Sequence, residues 1–170
     1  NIVRGKFSLN IKDNLSDGGV NANNYFQLWN DVQVDSLPTN SDLLGSTFHL
    51  ISTNYAERII SWPAIDHGAN EDGYKNNLAL GSLVITNGFR GVTIFKGNSD
   101  EKNAIYVDYL EFEGRSESEL YDRDTLINTF PEILLSENFS IYFASSNLPE
   151  EKLDGMYDGR LRWVKNYPGY

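Results

Sequence analysis

Short windows in which apolar and polar residues strictly alternate, each bounded by Gly, Asn, Asp or Pro, restrict the fold of this chain more than any other feature. In the window 5–12, Phe7, Leu9 and Ile11 would share one face of a strand, with polar residues opposite. The window 25–37 alternates in the same way over a longer stretch. A two-residue period is the period of a β-strand, so both windows are predicted strands.

The rest of the chain continues this pattern. Further strands are predicted at 47–53, 58–62, 78–87, 91–96, 104–113, 139–144 and 160–165. Two short helices are predicted, one beginning at the capping-box pair Ser116 and Glu119 and one following Pro149. Because no amphipathic helices separate the strands, we expect an all-β fold, a two-sheet antiparallel β-sandwich of the jelly-roll or Greek-key type, in a single domain over residues 1–170.

Charge and composition limit the possible partners. The 170 residues carry 24 acidic and 14 basic side chains, a net charge of −10, which opposes binding to nucleic acids and to anionic membranes. No apolar run approaches the roughly 20 residues of a membrane-spanning helix, so no membrane insertion is expected. The absence of cysteine excludes thiol catalysis. Because the chain starts at Asn1 with no leader, we expect a mature protein or an excised domain.

One face of the second predicted strand is both polar and aromatic, with Tyr25, Gln27, Trp29, Asp31 and Gln33 at strand spacing. Sugars present apolar C–H faces and hydroxyl edges, so their binding sites combine flat aromatic rings with amide and carboxylate partners. The competing interpretation is that these rings pack beneath a loop or a second sheet. The candidate ligand-binding residues are Tyr25, Gln27, Trp29, Asp31 and Trp62.

Two loops offer oxygen ligands suited to calcium. Asp13 and Asp17 lie in the first loop, and Asp66 and Asp72 lie in the second. Neither loop has the spacing of a known calcium-loop motif, and ordinary turn formation by Asp and Asn explains both more readily than a bound ion does. A structural calcium is therefore a prediction with a clear alternative, and no organic cofactor is expected.

The strand sequence IYVDYLEF at 105–112 resembles a strand found in extracellular β-sandwich carbohydrate-binding modules. The resemblance covers eight of the 170 residues. It implies a jelly-roll fold outside the cell, glycan capture by surface aromatic residues, and calcium at the sandwich edge with Asp108 as a ligand. Independently, a carboxylate on the strand face that Asp108 shares with Tyr106 and Phe112 needs a cation or amide donors.

Three functions remain open. We favour an extracellular, non-catalytic domain that binds a polysaccharide or other glycan. The alternative is an extracellular structural or adhesion domain whose strand faces contact other proteins. The third is a small glycoside-active enzyme that uses carboxylates such as Glu111 and Glu113, which would share one strand face. His49, within an alternating strand, is expected to be structural.

Overall fold

The computed structural model describes residues 2–3, 7–9, 24–37, 42–51, 57–86, 91–98, 100–121 and 130–170. Its strands are β1 (Ile2–Val3), β2 (Phe7–Leu9), β3 (Tyr25–Leu28), β4 (Val32–Val34), β5 (Leu43–Leu50), β6 (Glu57–Trp62), β7 (Leu80–Thr86), β8 (Val92–Gly97), β9 (Asn103–Glu113), β10 (Ile133–Leu135), β11 (Phe139–Ser146) and β12 (Leu161–Trp163). Short 3-10 helices span Glu71–Tyr74 and Glu117–Tyr121, and a single helical turn, α1, spans Glu150–Leu153. The segment α2, Met156–Gly159, is a tight turn in which Tyr157 and Asp158 have left-handed backbone angles (φ 58° and 57°).

Successive strands from β1 to β11 alternate between two sheets, and β12 lies beside β11 in the same sheet. Sheet A has seven strands in the order β1-β3-β5-β7-β9-β11-β12, and sheet B has five in the order β10-β8-β6-β4-β2. Every ladder that joins these strands is parallel. From β3 to β11 the chain therefore winds in coils, each adding one strand to sheet A and one to sheet B. This arrangement is a parallel β-solenoid.

The prediction of an antiparallel jelly-roll or Greek-key sandwich is wrong. A parallel pair needs a crossover connection, and in most parallel sheets a helix provides it. Here the crossover from one sheet A strand to the next is a strand of sheet B, so the lack of helices does not indicate antiparallel pairing. The predicted single strand at 25–37 is also two strands, β3 in sheet A and β4 in sheet B, because the chain turns a corner at 29–31.

The core lies between the two sheets and consists of side chains stacked in rows from coil to coil. Phe48 pairs with Phe26 on one side and Leu83 on the other, and Leu83 pairs with Leu110. A second inward row in sheet A contains Leu28, Leu50, Ile85 and Phe112. Sheet B contributes Val32, Ile60, Phe95 and Leu135 from the opposite side. Coil-to-coil stacking buries like residues against like and excludes water from the interior.

Half of the outer surface of sheet A is covered by a second, smaller apolar cluster. Tyr106 and Tyr142 are stacked there with ring centroids 4.7 Å apart, and Tyr74 stacks on Tyr167 at 3.7 Å. The Tyr106 hydroxyl holds the loop above it, accepting from the His67 amide and donating to a neighbouring carbonyl. Among the described residues, this cover ends partway along the strands and leaves the carboxyl-terminal half of the face open.

The short helices partly follow the sequence. The Glu119 carboxylate accepts from the Ser116 amide at 2.7 Å, as the capping box predicts, but the helix described there is a 3-10 helix at Glu117–Tyr121. The rest of that predicted helix, 122–129, lies outside the described residues. The predicted helix after Pro149 is confirmed as α1. No helix in the described ranges is long and apolar enough to cross a membrane.

Candidate ligand-binding face

The uncovered half of the outer surface of sheet A is the candidate site, and we call it the open face. Its residues alternate along their strands with core residues, and they are Tyr25, Gln27, Thr47, His49, Ser82, Val84, Thr86, Tyr109, Glu111, Glu113 and Ser145. On β9 the alternation of inward and outward side chains is interrupted once, because Val107 and Leu110 both face the core although they are three residues apart. Tyr109 and Glu111 therefore point outward. Two of these residues are aromatic and exposed or half-buried, and most of the others are polar.

Strand register arranges this face in rows that cross the strands. One row contains Tyr25, Thr47, Ser82, Tyr109 and Ser145, each paired with the next. The neighbouring row contains Gln27, His49, Val84 and Glu111. Adjacent strands lie about 4.8 Å apart, so each row advances by that step along the solenoid. Residues remote in sequence therefore become direct neighbours.

A hydrogen-bond network fixes the polar side chains around His49. The Tyr25 hydroxyl lies 2.5 Å from His49 Nδ1, and His49 Nε2 lies 3.1 Å from a Glu113 carboxylate oxygen. Thr86 joins both partners, with its hydroxyl 2.9 Å from Nε2 and donating to Glu113 at 2.6 Å. A neutral imidazole satisfies the pattern when it accepts from Tyr25 at Nδ1 and donates from Nε2. Side chains from four neighbouring strands of sheet A, β3, β5, β7 and β9, thus hold one another in place.

Charge on the open face is negative. The Thr86 hydroxyl lowers the pKa of Glu113, partial burial opposes this, and the hydrogen bond from His49 lowers the pKa further. Glu113 is therefore ionised at neutral pH. Burial, followed by the nearby carboxylate of Glu111, raises the pKa of the Tyr109 hydroxyl and keeps it protonated. The face presents neutral hydroxyl and amide groups beside two carboxylates.

The predicted ligand-binding residues do not lie together. Tyr25 and Gln27 lie on the open face, and the Tyr25 side chain is 46% exposed. Trp29 follows β3 at the corner and is half-buried, and its indole N–H has no partner within the described part of the chain. Asp31 accepts from the Ile59 amide of sheet B at 2.8 Å. Trp62 is fully buried in the core, so its ring does not reach a surface ligand.

A shallow cleft lies on the outer surface of sheet B, where Asp31 is found. Its volume is about 220 Å³, and its lining residues are Asp31, Val32, Gln33, Ile59, Ser61 and Lys96. Asp31 and Lys96 carry opposite charges, and Ile59 provides an apolar floor between polar neighbours. Unlike the open face, this cleft has no aromatic ring among its lining residues.

The predicted calcium ligands are separated and already engaged in local contacts. Asp66 accepts from the Tyr142 hydroxyl at 2.7 Å and from the Gly68 amide at 2.8 Å. Asp72 contacts Lys75, and Asp108 accepts from the Tyr170 amide at 3.1 Å. Asp13 and Asp17 lie outside the described residues. Within the described ranges, no group of three or more His, Asp or Glu residues could hold a metal ion, and calcium stays a prediction.

Sequence reasoning did not place Thr86 and Tyr109 at the site, and it assigned His49 a structural role. His49 and Thr86 alternate with buried residues of their strands, which is the only local signal that they carry. Tyr109 lacks even that signal, because two-residue alternation groups it with Ile105 and Val107, which face the core. What joins them to Tyr25 is the parallel register of β3, β5, β7 and β9, and that register is a property of the coil. Periodicity within one strand contains no information about it.

Comparison with known proteins adds no family to this description. No family model matches the chain, and no curated protein or solved structure matches it significantly.

Proposed function

We propose that this protein binds glycans without catalysing their cleavage and that the open face is the binding surface. The observation that carries the proposal is the exposed ring of Tyr25 beside a fixed array of hydrogen-bonding side chains. An aromatic ring stacks on the C–H face of a sugar, and the amide and hydroxyl groups next to it bond the sugar hydroxyls.

Preorganisation supports the same proposal. His49, Thr86 and Glu113 are already hydrogen-bonded to one another, so they lose little conformational freedom when a ligand binds. The His49 side chain is 13% exposed and the Glu113 side chain 48% exposed, which leaves the carboxylate available to solvent while the imidazole supports it from below. A rigid polar surface suits ligands that bind through many weak contacts.

Ionisation of Glu113 favours binding over glycoside hydrolysis. A glycosidase needs one carboxyl that stays protonated to act as a general acid, and this requires a raised pKa. The pKa of Glu113 is lowered by Thr86 and His49, so this carboxyl is a poor proton donor. Glu111, the other candidate, lies two residues away on the same face. The expected location outside the cell stays a prediction.

Binding to immobilised polysaccharides tests the proposal. The protein should bind at least one glycan on an array, and Tyr25→Ala should lower the affinity about tenfold or more, since tenfold corresponds to about 1.4 kcal/mol. Leu134→Ala is the matched control, because Leu134 is also an exposed large apolar residue but lies on the other sheet. Both variants should retain the wild-type melting temperature within a few degrees.

Two results would contradict this function. The first is the absence of binding to every glycan on a broad array by the folded protein. The second is binding that Tyr25→Ala and His49→Ala leave unchanged, since the open face would then not be the surface in use. Self-association that rises with concentration, together with no glycan affinity, would instead support the structural or adhesion role.

A further inference from the structure

The register of sheet A points to a more specific ligand, and this inference rests on the proposed function. We infer that the glycan is linear, runs across the strands along the row from Tyr25 to Tyr109, and carries no carboxylate or sulfate groups. The inference follows from the two tyrosines that this row contains, the small residues between them, and the charge beside it.

The row has an aromatic residue at two positions and small hydroxyl residues between them. Tyr25 pairs with Thr47, Thr47 with Ser82, and Ser82 with Tyr109, so three strand steps separate the tyrosines, about 14 Å. Thr47 and Ser82 are shorter than either tyrosine and leave a trough between the two rings. Their hydroxyl groups can donate to and accept from sugar hydroxyls along that trough.

This shape selects a ligand that is extended. A single sugar ring reaches one tyrosine, whereas a linear chain of several rings reaches both and contacts the hydroxyl groups between them. Binding the second tyrosine costs little additional translational freedom once the first is engaged, so the two contacts reinforce each other. Affinity should therefore depend on chain length until the oligomer spans both rings.

Charge beside the row selects against acidic glycans. Glu111 lies next to Tyr109 on β9, and Glu113 follows on the same side of that strand. None of the residues that define the open face is Lys or Arg, and the whole chain carries a net charge of −10. A uronate or sulfate laid along the row would lie near these carboxylates without a cation from the face to offset the repulsion.

A length series of the neutral glycan that binds best on the array tests the row. Affinity measured by calorimetry should rise with oligomer length and then level off once the chain spans about 14 Å. Tyr109→Ala should lower the affinity for the long oligomer about tenfold and leave that for the shortest binding oligomer nearly unchanged. Tyr109→Phe keeps the ring and should retain most of the affinity, which separates stacking from loss of the hydroxyl.

A matched pair of polymers tests the charge. Polygalacturonate should bind at least tenfold more weakly than its carboxyl-reduced form, because the two differ in the carboxylate. Glu111→Gln should reduce that difference. Equal binding of the two polymers, or a preference for the acidic form, would overturn the selectivity.

Different results contradict the inferred ligand along the row and the proposed glycan binding. If the wild type binds a glycan and Tyr25→Ala weakens it, but Tyr109→Ala has no effect on any oligomer, the row is refuted and glycan binding stands. If the shortest oligomer binds as tightly as the longest, the extended ligand is refuted in the same manner. If no glycan binds, the proposed function fails and the row fails with it.

Discussion

Replacing Thr93 with valine tests how strongly a buried cation is held by its neighbour in sheet B. Arg58 on β6 is only 5% exposed and points into the core. Its Nη1 donates to the carbonyls of Leu28 and Ile51 at 2.8 and 3.0 Å, and its Nη2 and Nε donate to the Thr93 hydroxyl at 2.9 and 3.3 Å. Burial lowers the pKa of Arg58 to about 10, with a smaller opposing effect of Asp31. The guanidinium is still charged at neutral pH.

The expected free-energy change follows from these bonds. Valine matches threonine in shape, so Thr93→Val removes an acceptor without opening a cavity and leaves two N–H groups of the buried cation unpaired. A hydrogen bond to a charged group contributes about 1.5–3 kcal/mol, and the 3.3 Å contact is the weaker of the two, so the loss should be about 2–4 kcal/mol. In an Arg58→Met background the same change places valine beside an apolar side chain and should cost about 1 kcal/mol or less.

Urea unfolding of the wild type, both single variants and the double variant gives the coupling energy directly. We expect about 2 kcal/mol or more between the two positions, with similar m-values in all four proteins. A coupling below about 0.5 kcal/mol would refute the reasoning, because it would mean that water solvates the guanidinium as well as Thr93 does. A changed m-value would show that the core itself had loosened.

Two further carboxylates give separate predictions. The lowered pKa of Glu113 means that its contribution to stability is present above its usual pKa and is lost as the pH falls through the lower folded value. Glu113→Gln should therefore make the free energy of unfolding less dependent on pH as the pH falls below the usual carboxyl pKa, by less than about 1 kcal/mol because the group is half-exposed. An unchanged pH profile would contradict this. The Glu132 carboxylate is 3% exposed and accepts from Arg115 at 2.8 and 2.6 Å. Glu132→Ala should cost about 3–5 kcal/mol in urea unfolding, whereas Glu132→Leu combined with Arg115→Met should recover part of that loss, and a single-variant cost below about 1 kcal/mol would argue against a desolvated pair.

Most strands could be predicted because each is short, alternating and bounded by turn residues. The predicted windows at 58–62, 91–96 and 104–113 differ from the strands at Glu57–Trp62, Val92–Gly97 and Asn103–Glu113 by no more than one residue at each end. Burial on one face imposes the two-residue period whatever the strand's neighbours are. The same fact explains why the period does not distinguish parallel from antiparallel pairing.

The corner after β3 could not be recognised in the sequence, because the two-residue alternation of inward and outward side chains continues through it. Leu28 faces the core before the turn and Val32 faces it afterwards, and these residues are separated by an even number of positions. Alternation therefore continues through the turn as if one strand extended from 25 to 37. The coils are also unequal, since the later strands of sheet A begin at Leu43, Leu80 and Asn103, so no fixed repeat length reveals the solenoid.

Only part of the site could be predicted for the same reason. The polar and aromatic character of Tyr25 and Gln27 is visible within one strand, but the partners on the neighbouring strands are not. An antiparallel sandwich with one long strand would have kept Asp31 beside Gln27. The corner instead places Asp31 against sheet B, and the parallel register puts His49 beside Gln27.

The core therefore determines the arrangement of residues on the open face. Phe48 pairs with Leu83 inside the solenoid in the same register that pairs Thr47 with Ser82 outside it. A slip of one residue between β5 and β7 would turn buried side chains to solvent and polar ones inward, and burying a side chain such as Phe48 contributes about 1.5–3 kcal/mol. Because each further strand adds its own inward partners, the cost of a slip grows with every residue in the ladder. The register of the core therefore keeps Tyr25 and Tyr109 in one row whichever side chains the open face carries between them.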